Sequence, residues 1–206
     1  MSAGRIRVCF SALPVTGSWP AILVDRDGII NERIVGGYVT DWTQFRFVPG
    51  IESALATLSE LPFPIIVVSN QPGVGKGLLQ CSTLSDITAR FVAELHRAGA
   101  RIDAVYYCPH TQEQKCTCRK PAVGLLTQAA ADWRLELSRS VLIGDAITDI
   151  QAARSAGSRA VLLDPGVLPL PTRTLLMEAG AIHVTRVADI VPAVYSLLDE
   201  RGAIAQ

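Results

Sequence analysis

Short aliphatic runs recur along the chain. They are AILVD at 21–25, PIIVVSN at 64–70, AVYYC at 104–108, SVLIGD at 140–145 and RAVLLD at 159–164. Each is continuous rather than alternating, as in strands buried on both faces of a parallel sheet. Longer helical patterns lie between them, at about 50–61, 82–98, 122–134 and 147–156. A last strand near 181–185 and a helix near 188–200 complete the series. Strands that alternate with helices predict a doubly wound α/β fold with a parallel sheet and right-handed crossovers.

Three of these strands end in polar groups: Asp25 with Asp27, Ser69-Asn70-Gln71, and Gly144-Asp145. Ligands of open α/β sheets bind beyond the carboxyl ends of the strands. Groups far apart in sequence are therefore expected to meet in one crevice.

Composition narrows the picture further. The 206 residues suit one domain, with residues 1–19 as a leader or an extra edge strand and 20–206 as the domain proper. Apolar residues make up 49% and charged residues 18%, which excludes a disordered chain or a coiled coil. A net charge of zero argues against a nucleic-acid partner. No apolar run has the length of a membrane span, so no membrane partner and a cytoplasmic location are expected.

In VDRDGIIN, Asp25 stands at a strand end and Asp27 two residues on. Two close carboxylates repel each other unless a cation sits between them. Asp145 adds a third oxygen ligand. Oxygen donors without histidine suit a hard ion such as magnesium, which keeps several waters and binds substrate phosphate. A turn or cap aspartate is the bland alternative for a lone DxD.

CPHTQEQKCTC at 108–118 holds Cys108, His110, Cys116 and Cys118. Three cysteines and a histidine fit a tetrahedral zinc site, and four protein ligands make it structural rather than catalytic. The competing readings are buried thiols beside an unrelated histidine, or a redox pair, which the absence of Cys-x-x-Cys disfavours. Arg119 and Lys120 follow directly. A closed zinc site there fixes the backbone and aims two cations at a phosphate. NQPGVGKGLL at 70–79 is not a P-loop, because Asn70 and Gly77 stand where a glycine and a hydroxyl are required. It reads as a flexible loop, in which Asn70 and Gln71 are candidate substrate ligands.

Over residues 20–165 the chain resembles the haloacid-dehalogenase-like phosphatase superfamily. Its four motifs are matched in order by ILVDRDGI, by IIVVSN ending at Ser69, by Lys120 in CRKP, and by LIGDAITD with Asp145 and Asp149. The resemblance implies that Asp25 is the nucleophile and Asp27 the general acid and base. It implies magnesium on Asp25, the Asp27 carbonyl and Asp145, with Ser69 and Lys120 on the phosphoryl oxygens and Asp149 orienting the loop. Ile29 and Ala146 depart from the pattern, where relatives carry Thr or Val and, in some, Lys.

The zinc loop resembles a subgroup that contains heptose bisphosphate phosphatases and histidinol-phosphate phosphatases, both without a large cap domain. The stretch 25–50 looks more like the heptose enzymes, which makes a phosphorylated sugar the favoured substrate and a phosphorylated amino alcohol the alternative. A third reading, a catalytically dead zinc-stabilised binding domain, conflicts with the complete set Asp25, Asp27, Ser69, Lys120 and Asp145. Residues 29–48 are expected to form a flap, with Tyr38 either touching the sugar or packing the flap. Arg26 is expected at the surface or in a flap salt bridge, and the protein is expected to be a monomer.

Overall fold

The computed structural model describes residues 4–11, 17–166, 168–178 and 180–199. Seven strands form one sheet: β1 (Ile6–Cys9), β2 (Ile22–Val24), β3 (Ile65–Asn70), β4 (Ala104–Cys108), β5 (Val141–Gly144), β6 (Arg159–Leu163) and β7 (Ala181–Val184). Their order across the sheet is β1-β4-β3-β2-β5-β6-β7, and every pair is parallel except β1 with β4. The helices are α1 (Ile51–Leu58), α2 (Pro72–Gly75), α3 (Cys81–Arg97), α4 (Gly124–Trp133), α5 (Ile147–Ser155), α6 (Leu170–Glu178) and α7 (Ile190–Asp199). The doubly wound α/β fold is thus as expected. No helix among the described residues is long and apolar enough to cross a membrane.

Successive residues of a strand point to opposite faces, so each strand feeds two cores. Val24, Val67, Tyr107 and Ile143 pack with α1, α3 and α7, whereas Leu23, Val68, Tyr106 and Leu142 pack with α4, α5 and α6. This double burial is why the strands read as continuous aliphatic runs. Helix α3 shows the matching logic. Leu84, Ile87, Phe91, Val92 and Leu95 recur at helical spacing and are its buried face.

Two elements escaped the sequence pattern. In α6 only Leu176 is buried, while Leu170, Leu175 and Met177 are exposed, so no periodic apolar stripe marks it. The expected flexible loop after β3 instead begins with the single turn α2, with Pro72 in its first turn. Residues Ile6–Cys9 form the edge strand, one of the two alternatives for the leader, while 1–3 and 12–16 lie outside the described residues.

The chain runs from β2 to β3 to β4 on one side, then returns to place β5 on the other flank of β2. That reversal opens a crevice at the carboxyl end of β2. Asp25 follows β2, Ser69 and Asn70 end β3, and Asp145 follows β5.

Candidate active site

The site begins with a tight turn. Asp25 extends the sheet ladder by donating its N–H to the Ile143 carbonyl at 2.9 Å. The Arg26 carbonyl then accepts the N–H groups of Ile30 and Asn31 at 2.8 and 3.0 Å. Gly28 sits in the left-handed region at φ 94°, and a Cβ on it would fall 1.9 Å from Asp145 Oδ2. Only glycine lets this turn approach the neighbouring strand end so closely.

Carboxylates converge around that turn. One oxygen each of Asp25, Asp145 and Asp149 lies within 4.8 Å of the others. The buried Lys120 ammonium stands between two of them, 3.1 Å from Asp25 Oδ1 and 2.6 Å from Asp149 Oδ1, and donates to the Val68 carbonyl at 2.7 Å. Burial would lower the Lys120 pKa, but Asp149 and Asp25 outweigh it and keep the amine charged. Burial pushes Asp25 up to about 6, Lys120 opposing it and the neighbouring carboxylates adding to it. Burial likewise pushes Asp145 up to about 7, with Asp25 adding and Arg33 opposing. Carboxylates crowded into a partly dry site hold protons this tightly until a cation joins them.

Asp145, Asp25 and the Asp27 carbonyl make a hard-oxygen donor set that suits a divalent ion. A cation already favours this position. The Arg33 guanidinium donates to Asp145 Oδ1 at 2.6 Å and reaches the Asp27 carbonyl at 3.4 Å. Asp149 is the less available ligand, since it is bound to Lys120 and accepts the Ala146 N–H at 3.1 Å.

Arg26 departs from expectation. It is not a surface residue: its side chain is 0% exposed, and its guanidinium donates to both oxygens of Asp27 at 2.8 and 3.0 Å. Asn31 and Gln71 add bonds to the same carboxylate at 2.9 and 2.7 Å. Burial pushes Asp27 up, but Arg26 and these donors outweigh it, and the carboxyl ends below its usual value. Gln71 is therefore buried on Asp27 and Ser69 rather than presented to a ligand. No periodicity could have revealed Arg26, because burial of a charge depends on partners that only the fold supplies.

Asn70 also has a prior engagement. Its side-chain amide donates to the Lys120 carbonyl and accepts the Lys120 N–H, both at 3.0 Å, which clamps the lysine loop onto the end of β3. That loop carries the cysteine and histidine cluster. Cys108 Sγ lies 3.3 Å from Cys118 Sγ and 3.6 Å from Cys116 Sγ, and His110 Nδ1 lies 3.2 Å from Cys118 Sγ. Ligands about 2.3 Å from a tetrahedral zinc would stand roughly 3.8 Å apart, so the four atoms are already gathered for one ion. Burial pushes the Cys108 thiol up, whereas Cys116 ends lower, because backbone N–H groups of Arg119 and Cys118 overcome its own burial. At Gly124 a Cβ would meet the Thr117 carbonyl at 2.3 Å, so this glycine lets α4 start directly beneath the loop.

These groups open into a cleft of about 470 Å³ lined by Asp25, Asp27, Ser69, Lys120, Arg119 and the flap residues 33–39. Tyr38 lines it and also packs on the loop after β3, accepting a hydrogen bond from Lys76 Nζ at 3.0 Å. Val35 at the flap tip is 96% exposed. Ile29 lies in the larger core, so its apolar side chain is absorbed by packing, while Ala146 leaves room in the cleft wall. His183, on the edge strand β7, stands 3.5 Å from Asp164, far along the sheet from the cleft residues.

Known proteins agree with this geometry. A family model described as "HAD-hyrolase-like" matches residues 117–192. D-glycero-beta-D-manno-heptose-1,7-bisphosphate 7-phosphatase of Photorhabdus laumondii is 33% identical over 189 residues, covering 87% of this chain and 97% of that protein. D-glycero-alpha-D-manno-heptose-1,7-bisphosphate 7-phosphatase of Mycobacterium tuberculosis is 37% identical over 144 residues, 68% of this chain and 74% of that protein. The solved structure of D,D-heptose 1,7-bisphosphate phosphatase of B. bronchiseptica, in complex with magnesium and phosphate, superposes with a TM-score of 0.74 at 27% identity, covering 88% of this chain and 99% of that one. With its sheet, its acidic strand ends and its buried lysine, the chain belongs to the haloacid-dehalogenase-like phosphatases.

Proposed function

We propose that this phosphatase removes the 7-phosphate of a D-glycero-D-manno-heptose 1,7-bisphosphate through a phosphoryl group carried on Asp25. One observation carries the reading: Asp25 faces the cleft at a strand end while a charged, buried lysine stands 3.1 Å away. Names of the relatives support the substrate.

Asp25 attacks phosphorus and the bond from phosphorus to the sugar oxygen breaks, with the leaving alkoxide taking a proton from Asp27. Water then attacks the aspartyl phosphate, Asp27 takes its proton, and inorganic phosphate leaves. Arg26 beside it holds the Asp27 carboxyl below its usual value and so favours the ionised form, the state that accepts a proton. To donate one it must loosen from Arg26 toward the cleft that it lines. Lys120 and Ser69 hold phosphoryl oxygens as charge moves between them. Asp25, the Asp27 carbonyl and Asp145 would hold a magnesium ion, which would supply positive charge between two anionic reactants. Arg119 faces the substrate from the same loop, and Tyr38 closes the far wall. Cys108, His110, Cys116 and Cys118 would hold a zinc ion whose role would be structural, keeping this loop in place, since four protein ligands leave no position for substrate.

The test compares kcat/KM for heptose 1,7-bisphosphate, as both anomers, with that for histidinol phosphate. The bisphosphate is expected to lead by about tenfold or more, because an extra phosphate contact contributes on the order of 1 kcal/mol or more. Equal or reversed preference overturns the substrate. Asp25→Asn should abolish turnover while the fold stays intact, and retained turnover would end the mechanism.

A further inference from the structure

Seven charged side chains crowd the strand ends: Asp25, Asp27, Asp145 and Asp149 against Arg26, Arg33 and Lys120. The three cations are not equivalent. Arg26 and Lys120 are 0% and 1% exposed and are locked by several bonds each. Arg33 is 51% exposed and comes from the flap. Its guanidinium takes an oxygen of Asp145 and the Asp27 carbonyl, two of the three groups that would hold the magnesium ion. It also lines the cleft in which the phosphate must sit.

A guanidinium and a divalent ion cannot share those oxygens. Two cations a few ångströms apart repel strongly in a partly dry site. One must yield, and the half-exposed one costs least to move, since water takes over its bonds. Its nearest new partner is an anion in the same cleft. We propose that Arg33 is a displaceable counter-cation, which holds the metal-ligating atoms of Asp27 and Asp145 when no divalent ion does, and turns to the anionic substrate once one has bound. The proposal rests on the magnesium reading of those oxygens. It makes metal binding a competition, so the apparent affinity is reduced by the fraction of molecules in which Arg33 occupies the site. It also couples the ion to the flap, because the residue released is the first of the stretch that reaches Val35 and Tyr38. Metal binding would thus prepare the flap for substrate.

The experiment titrates the full chain with manganese, following free manganese by electron paramagnetic resonance, in the wild type, Arg33→Gln, Arg33→Lys and Asp145→Asn. Inorganic phosphate is then titrated into each manganese-loaded protein by calorimetry. Arg33→Gln is expected to bind manganese about five to tenfold more tightly and phosphate about threefold or more weakly, with Arg33→Lys between it and wild type. Manganese affinity unchanged or weakened in Arg33→Gln, while Asp145→Asn loses the ion, overturns the competition and leaves the metal site standing. Tighter manganese with unchanged phosphate binding overturns the second half of the proposal. Wild-type manganese affinity in Asp145→Asn removes the metal-site reading itself, and the proposal with it.

Discussion

An arginine with no exposed side-chain surface is costly to bury, and Arg26 meets that cost through three bonds to Asp27. Removing it would strand a carboxylate that is only partly exposed. Arg26→Met should therefore destabilise the protein by about 2–4 kcal/mol, the buried-pair cost discounted for the exposure of Asp27, read as a shift in the urea midpoint. Asp25 and Asp145 make a separate prediction. Their folded pKa values, about 6 and about 7, lie above the ordinary carboxylate value. Between about pH 4 and 7 the folded protein thus binds more protons than the unfolded chain, so stability falls as pH rises through that window. Without divalent ions the melting temperature should climb as pH drops from 8 toward 5.5. Saturating magnesium should flatten or reverse the trend, because it needs both groups ionised. Asp27, shifted downward, contributes in the opposite sense and only in more acidic solution. A melting temperature that rises with pH over this range in the metal-free protein would contradict the assignment.

At the scale of elements, the loop from β4 to α4 has little core of its own. Two devices hold Lys120 in place within it: the cysteine and histidine cluster on one side and the Asn70 amide on the other. Cys116→Ser should lower zinc content and remove most activity while magnesium affinity stays near wild type. Asn70→Ala should cut kcat/KM about ten to a hundredfold, the scale of a misplaced phosphate-binding group, and leave zinc content unchanged. Full activity in either variant would show that its clamp is dispensable.

At the scale of the whole molecule, the return of the chain to the far flank of β2 is what gathers the site, since β3, β2 and β5 are neighbours only in the sheet. The edge strand β1 lies at the other end of the functional half. Arg7 pairs with Asp132 at 2.6 Å and Arg5 donates to Gln128 at 3.0 Å, so β1 braces β4 against α4. Deleting residues 1–11 should lower stability by about 1–3 kcal/mol without abolishing metal-dependent turnover. Loss of turnover would place β1 in the support of the site.

Much of this was legible without coordinates. Strands buried on two faces must be aliphatic throughout, and polar residues at their carboxyl ends had to cluster, so the sheet, Asp25, Ser69, Asp145 and the cysteine-rich loop could all be read from spacing and type. Helix α6 could not, because it buries one apolar residue and leaves no stripe. Nor could the partners of Arg26, Asn70 and Gln71. They look like ordinary polar residues of a turn and a strand end, and their work is to hold Asp27 and Lys120. The amino-acid order thus determined which residue types reach the crevice, because periodicity and strand ends are local properties. Only tertiary structure decided which of them face the cleft and which are spent on each other, because a charge is satisfied by neighbours in space rather than along the chain.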